Sequence, residues 1–257
     1  MSVLNAFTWP HGLFIVHPWP TKQGIMGSWI NGWDPLSREG RGYAAAVLLE
    51  DDLEVSRHYA RWFLGAHATY TRNDPRLGAA TGQRGELVAG EGEPGSLESH
   101  LAPGTKAFAY RLLGTWGFSP KATAWADFRA WFYALPEGFK PNVPGIIPDR
   151  WFNDFTRDRK ERSMWEMWWI RFSHEKDLFT VYPWPNEGKH SITCNWREAG
   201  LHFDHSEGKC DFPLSTAWDP QLLEQAPLRF HDWNMHPITA PAETKGDSPG
   251  FLASDSK

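Results

Sequence analysis

Residues 43–63 read YAAAVLLEDDLEVSRHYARWF, and no other stretch of the chain says as much about its fold. Six apolar residues, 44–49, run without alternation into three carboxylates, Glu50, Asp51 and Asp52. An unalternating apolar run of this length predicts a strand covered on both faces, as in the parallel sheets of α/β proteins. The acidic residues then follow the carboxyl end of that strand, which is where ligands bind in open α/β sheets.

The three consecutive carboxylates have two interpretations. Adjacent carboxylates repel one another unless a cation neutralises them, and a hard divalent metal is the usual partner. In that case strand alternation places Glu50 and Asp52 on one face and Asp51 on the other, with Asp52 outermost and most accessible to the metal. Alternatively, Asp51 caps the next helix, and Asp52 and Glu54 lie in its first turn. Caps are commoner than metal sites, so these residues alone favour the cap.

The composition limits the classes of partner. The chain has 257 residues, 41% of them apolar, and a formal net charge of -5, which is typical of a globular protein with a substantial core. Binding to nucleic acid or to an anionic membrane needs a basic surface, so neither is expected. No apolar segment reaches the roughly 18 residues that a membrane helix needs, and residues 1–14 lack the pattern of a signal peptide. We therefore expect no membrane segment and a chain that is soluble as given.

Tryptophan and cysteine give two further compositional signals. The chain contains 16 tryptophans, and most are expected to pack in the core, while a minority line a groove for a sugar. The two cysteines, Cys194 and Cys210, form neither a disulfide framework nor the usual spacing of a zinc site. Pairing of these two cysteines in a secretory compartment stays open.

Strands and helices are predicted to alternate along the chain. Helical spacing is found in residues 24–35, from Val55 to about Tyr70, in 122–135 and in 162–177, whereas 44–49, 74–83 and 178–184 are predicted strands. This alternation predicts one domain over residues 1–237, a layered α/β domain built on a largely parallel or mixed sheet. Residues 85–105, rich in Gly and Glu, are predicted to be a flexible surface loop, and residues 238–257 a disordered tail.

The common catalytic motifs do not occur in this sequence. It contains no dinucleotide-binding glycine pattern, phosphate loop, nucleophile elbow or His-Glu-x-x-His motif. The stretch HFDH places His202 and His205 three residues apart, which would suit a metal site on a helix. Its polar, glycine-containing surroundings favour a solvated loop instead.

Seven short blocks follow one another over nearly the whole chain. They are FTWPHG (7–12), GSWINGWDP (27–35), AVLLEDDLEVS (46–56), DPRLGAATGQR (74–84), LLGTWGFSPKATAWADF (112–128), LFTVYPW (178–184) and SITCNWREAGLHF (191–203). In this order they resemble a family of GT-A-fold glycosyltransferases, nucleotide-diphospho-sugar transferases of plants, algae and other eukaryotes. The resemblance implies a three-layer, Rossmann-like GT-A fold.

The resemblance also implies an activity and a set of site residues. A sugar would pass from a nucleotide-diphosphate donor to a glycan or glycoconjugate acceptor, with a manganese or magnesium ion bound by Asp52. Glu50 and Asp51 would contact the donor, and Trp116 and Gly117 would line the acceptor side.

Three further residues complete the candidate set. His202 is a second candidate metal ligand. If the transfer inverts the anomeric centre, a carboxylate must deprotonate the acceptor hydroxyl, and Asp127 and Glu166 are the candidates.

Other functions stay open beside the transferase. Relatives carry a first strand and helix ahead of the block like WPHG, whereas this chain begins at that block, so we expect an N-terminally truncated GT-A fold. A full-length relative would belong to the secretory pathway, in the Golgi. The alternative function is an inactive remnant that binds glycans or acts as a scaffold. A glycoside hydrolase would need two carboxylates about 5–10 Å apart, and no spacing singles out Glu50 and Glu166 as that pair.

Overall fold

The computed structural model describes residues 6–10, 12–90, 96–157, 164–197, 208–209, 212–224 and 227–238. Its helices in these ranges are α1 (Gly24–Asn31), α2 (Tyr59–Ala66), α3 (Ala122–Tyr133), α4 (Ile147–Arg157) and α5 (Glu166–Glu175). Its strands are β1 (Leu53–Val55), β2 (Leu77–Thr81), β3 (Ala107–Tyr110), β4 (Phe118–Pro120), β5 (Phe179–Pro183), β6 (Thr193–Arg197), β7 (Gly208–Lys209), β8 (Phe230–His231) and β9 (Pro237–Ile238).

Six of these strands form a mixed sheet in the order β4-β2-β5-β3-β8-β9. β2 runs parallel to β5 and β3 runs parallel to β8, whereas the other neighbours are antiparallel. The side chains of β3 alternate between two apolar clusters: Phe108 and Tyr110 pack with α3 and α5, and Ala107 and Ala109 pack with α2. Both faces of the sheet are therefore covered by helices. The prediction of an α/β fold with a mixed, flanked sheet is confirmed at this level.

Most predicted elements are found near their predicted positions. The three helices α1, α3 and α5 and the strands β2 and β5 lie within the ranges that periodicity predicts for them. Trp62, Trp125, Trp165 and Trp169 are among the largest fully buried side chains. Core packing thus explains these tryptophans, because indole rings provide much apolar area for burial.

Residues 44–49 do not form the doubly covered strand that their apolar run predicts. Ala45 and Leu48 make isolated antiparallel bridges to Lys121 and Phe118, so the segment lies beside β4 at the edge of the six-stranded sheet. Its side chains are half-buried or exposed. The prediction of a strand covered on both faces is therefore wrong. An unbroken apolar run does not report how many strands flank it.

The helix-cap interpretation of the acidic residues is also wrong. They form a turn, here called the acidic turn (residues 50–52), which is followed by β1 rather than by a helix. α2 begins later, with His58 at its N-cap, so neither Asp51 nor Asp52 caps it, and Glu54 lies within β1. Antiparallel pairing of β1 with β6, in a second sheet of order β1-β6-β7, overrides the local signal for a helix.

A half-buried histidine, His67, ties the edge segment to the rest of the fold. The hydroxyl of Ser119 donates to the carbonyl of Ala46 at 2.6 Å, so the Nε2 of His67, 2.8 Å away, donates to Ser119. The Nδ1 of His67 lies 2.8 Å from the hydroxyl of Thr71, which can donate to it. Burial lowers the pKa of His67 to about 4, with a smaller opposing effect from Ser119. A neutral imidazole is therefore part of the folded state.

The predicted flexible loop and tail are only partly described. Within residues 85–105, all but 91–95 are described, and Val88, Ala89 and Leu97 are buried in the core, unlike a surface loop. Of the predicted tail, only Ile238 lies in the described part of the chain, where it pairs in β9.

Two further features bear on partners and compartment. Cys194, on β6, is disulfide-bonded. None of the helices in the described ranges is both long and apolar enough to cross a membrane.

Candidate functional site

A cavity of about 290 Å³ lies between α4, α5, β3, β5 and the segments that follow β2 and β3. Its polar and aromatic lining residues are Gln83, Glu86, Tyr110, Thr115, Trp116, Trp151, Glu166 and Tyr182. Protein cavities that bind small molecules start at roughly this size, and they combine aromatic walls with a few polar groups. The cavity therefore has the size and chemistry to hold one sugar residue.

Glu166 is a carboxyl of this wall with an unusually high proton affinity. It is the first residue of α5 and is half-buried. Burial is the main reason that its pKa rises to about 7, and the negative charge of Glu50 acts in the same direction. A carboxyl with a pKa near 7 can gain and lose a proton at neutral pH, as a general base must. The acidic turn lies near this wall, because Trp29 hydrogen-bonds to Glu50 and stacks on Trp165, the residue before Glu166.

Glu50 is held in place by a tryptophan of α1. The indole Nε1 of Trp29 donates to Oε1 of Glu50 at 3.1 Å. Burial raises the pKa of Glu50 above its ordinary value; the bond from Trp29 opposes this effect, while the charges of Asp52 and Asp51 add to it. The carboxyl of Glu50 is therefore fixed in direction and close to two further acids.

Asp52 is held from the opposite strand and keeps one oxygen unused. The amide Nδ2 of Asn195, on β6, donates to Oδ2 of Asp52 at 2.9 Å, and the backbone N–H of Trp196 donates to its carbonyl at 2.8 Å. Oδ1 of Asp52 is buried and has no hydrogen-bond partner in the described part of the chain. An unpartnered buried carboxylate oxygen is costly, so a ligand at this position would be stabilised. Asp51, by contrast, is exposed.

This environment of Asp52 fits a cation that arrives with a substrate. The described ranges contain no group of three or more His, Cys, Asp or Glu side chains that could hold a metal ion alone. Magnesium is commonly bound by one or two carboxylates together with substrate phosphates rather than by an all-protein cage. Oδ1 of Asp52 would be such a ligand for magnesium or manganese. His202, the other candidate ligand, lies outside the described residues.

Trp116 and Gly117 have different positions although they are neighbours. Trp116 lines the cavity. Its backbone N–H donates to Oε1 of Gln83 at 3.3 Å, and its backbone carbonyl accepts from the hydroxyl of Thr193 at 2.5 Å. Gly117 is not among the lining residues. It has a φ of +73°, and a Cβ at this position would lie 2.7 Å from Cγ2 of Thr193. Gly117 therefore shapes the turn that presents Trp116.

Asp127 lies apart from the carboxyls described above. It is exposed on α3 and lines a different cavity, of about 530 Å³, together with Lys121 and Lys176. Glu166, and not Asp127, is therefore the candidate base that adjoins the acidic turn.

Some contacts of the candidate site are not predicted by the sequence. The positions of Trp29 and Asn195 beside the acidic turn depend on tertiary packing, and no local pattern points to them. The pair Glu50 and Glu166, which no spacing singles out, is close enough in the folded chain for one charge to act on the other.

Comparisons with known proteins add no family to this description. A scan against models of protein families matched none of them, and a search of curated proteins found no match. The function is therefore inferred from the residues and their geometry.

Proposed function

We propose that this protein is a metal-dependent glycosyltransferase, which transfers a sugar from a nucleotide-diphosphate donor to a glycan or glycoconjugate acceptor. The observation that supports this best is Glu166, a carboxyl with a pKa of about 7 on the wall of a sugar-sized cavity, beside the acidic turn. Such a transfer needs a base for the acceptor hydroxyl and an acid that binds a cation near the diphosphate. Glu166 and Asp52 suit these two roles. The blocks that resemble GT-A-fold enzymes support the same proposal.

Each residue then has a defined role. Glu166 takes the proton of the acceptor hydroxyl, whose oxygen forms a bond to the anomeric carbon while the bond from that carbon to the diphosphate oxygen breaks. Asp52 would hold the cation, whose chemistry would be to neutralise the charge of the departing diphosphate. Glu50 and Asp51 contact the donor, and Trp116 lines the acceptor side. The disulfide at Cys194 supports an oxidising compartment such as the secretory pathway.

Titration calorimetry tests the donor half of this proposal. Uridine diphosphate and guanosine diphosphate are titrated into the full chain with manganese, with magnesium and with a chelator. We expect binding of at least one nucleotide that is lost on chelation. No binding by a folded sample under any of these conditions would overturn the proposal.

A glycan-binding protein without catalysis is the second candidate. Its supporting observation is a set of partly exposed tryptophan rings, Trp9, Trp19 and Trp151, each more than 40% exposed, and such rings can pack against sugars. Glycan binding that persists in a chelator, together with no affinity for nucleotides, would favour this function over the transferase.

A further inference from the structure

We propose that Trp29 is the positioning residue of the candidate site, because it joins the acidic turn to the helix that begins at Glu166. This inference rests on the proposed function and adds a residue that the resemblance does not assign. Trp29 touches the acidic turn on one side and the residue before Glu166 on the other. Its own position is set by α1.

The first contact is directional. The indole N–H of Trp29 donates to Oε1 of Glu50 at 3.1 Å, and Trp29 is only 7% exposed. A hydrogen bond to a charged acceptor in such a place is stronger than a neutral one. It fixes which way the Glu50 carboxylate points.

The second contact is a stacked pair of rings. The ring centroids of Trp29 and Trp165 are 4.2 Å apart with an interplanar angle of 15°, and Trp165 is the residue directly before Glu166. Phe118 of β4 packs against Trp165, with their ring centroids 5.7 Å apart. Stacking in a close-packed core restricts both rings. The start of α5, and with it Glu166, is therefore placed relative to Glu50 by one side chain.

α1 itself is firmly anchored. Arg129 of α3 donates to the carbonyl of Ile30 at 2.5 Å and forms an ion pair with Asp34 at 3.1 Å. The indole of Trp125 donates to the carbonyl of Trp33 at 3.0 Å. Trp29 thus belongs to a rigid support, which is what a positioning residue requires.

Trp131 provides a matched control. Its indole N–H also donates to a carboxylate at 3.1 Å, that of Glu175, but it lines the other cavity. The variants Trp29→Phe and Trp131→Phe each remove one indole N–H and keep an aromatic ring. Any general effect of losing a tryptophan should appear in both.

Nucleotide affinity in manganese is the first measurement, with the nucleotide that the parent binds best. We expect Trp29→Phe to weaken binding about tenfold and Trp131→Phe to leave it unchanged. In a double-mutant cycle, Trp29→Phe should have no further effect in a Glu50→Ala background, because it acts through Glu50. Parent-like binding by Trp29→Phe, or additive losses in the double variant, would overturn the inference.

Hydrogen exchange gives a second measurement that needs no nucleotide. In Trp29→Phe we expect amides in residues 50–53 and 164–168 to exchange about tenfold faster than in the parent, and in Trp131→Phe no change there. If the parent binds no nucleotide, the proposed function fails, and exchange alone decides whether Trp29 holds the two segments. Unchanged exchange in both segments would overturn the inference in either case.

Discussion

Asn195 holds Oδ2 of Asp52 through a hydrogen bond of 2.9 Å and leaves Oδ1 of the same carboxylate buried without a partner in the described chain. The amide thereby fixes the orientation of the carboxylate. Oδ2 makes a structural hydrogen bond, and Oδ1 is the oxygen that a ligand could use. Residues that hold a metal ligand in this way commonly change metal affinity by 10- to 100-fold, roughly, when they are replaced.

Replacing Asn195 should therefore weaken metal binding without removing the ligand. In Asn195→Leu we expect the apparent manganese affinity, measured by calorimetry with a nucleotide diphosphate present, to fall by roughly tenfold or more. Asn195→Gln keeps an amide on a longer side chain. Its manganese affinity should lie between those of Asn195→Leu and the parent. Equal affinity in Asn195→Leu and the parent would show that the bond does not direct Asp52.

Asp52→Ala should abolish manganese-dependent nucleotide binding and leave the fold intact. The substitution removes the proposed ligand and leaves the amide of Asn195 without its acceptor. Loss of a buried unpartnered oxygen and of a charge next to Glu50 and Asp51 offsets that cost, so the free energy of unfolding should change by no more than about 1 kcal/mol. Glu137→Ala is the control, because Glu137 is an exposed acid outside the candidate site. Retained binding in Asp52→Ala, measured by calorimetry, would contradict the role given to this residue.

Glu166→Gln should lower transferase activity and raise the stability of the protein above about pH 7. The folded pKa of about 7 lies above the ordinary 4.5, so the parent's stability from this group is complete below pH 4.5 and is lost as the pH rises through 7. Gln does not titrate, so at pH 8 we expect Glu166→Gln to be more stable than the parent by roughly 1–2 kcal/mol in urea unfolding, and near-equal at pH 4. Transferase activity should fall at least about 100-fold.

The exposed Glu137 is the control for this experiment. Glu137→Gln should show the parent's pH dependence of stability. If Glu166→Gln shows that same dependence too, the carboxyl of Glu166 is not held protonated by the fold.

His67 should make the protein sensitive to acid. Its folded pKa of about 4 lies below the ordinary 6.5, so the unfolded chain takes up the proton first. The stability that it contributes is complete above pH 6.5 and is lost as the pH falls toward 4. Between pH 7.5 and 4.5 we expect the parent to lose roughly 2–3 kcal/mol more than His67→Gln, which keeps a donor and an acceptor. Urea unfolding at both pH values measures this difference, and parallel losses in the two proteins would refute it.

Reduction of the disulfide should destabilise the protein and weaken metal-dependent nucleotide binding at the candidate site. Cys194 is disulfide-bonded and precedes Asn195 on β6, the strand that also pairs with β1. We expect dithiothreitol to lower the free energy of unfolding by roughly 2–4 kcal/mol. Cys194 should react with iodoacetamide only after reduction, as measured by mass spectrometry. Labelling of the untreated protein would contradict the bonded state.

The helices were the most predictable part of the fold. α3 and α5 carry apolar residues at helical spacing, and Phe128 and Phe172 are buried as that spacing predicts. The position of residues 44–49 could not be predicted, because the same apolar run suits a central strand or an edge segment. What distinguishes them is the pairing partner, here β4, which comes much later in the chain.

The candidate site was predictable in its residue types and not in its arrangement. Three adjacent acids indicate either a cap or a cation site, and only the pairing of β1 with β6 decides against the cap. Asp127 and Glu166 are equivalent in the sequence, since both are acids on predicted helices. The structure separates them, because α3 turns Asp127 toward another cavity and α5 begins at the cavity wall with Glu166.

The bond between Asp52 and Asn195 joins residues that are 143 positions apart in the chain. Contacts of such long sequence separation carry a large loop-closure entropy and form slowly relative to local helices. During synthesis, the acidic turn leaves the ribosome long before β6 does. Asp52 therefore lacks the residue that orients it until most of the chain has been made, and the site is completed at a late stage of folding.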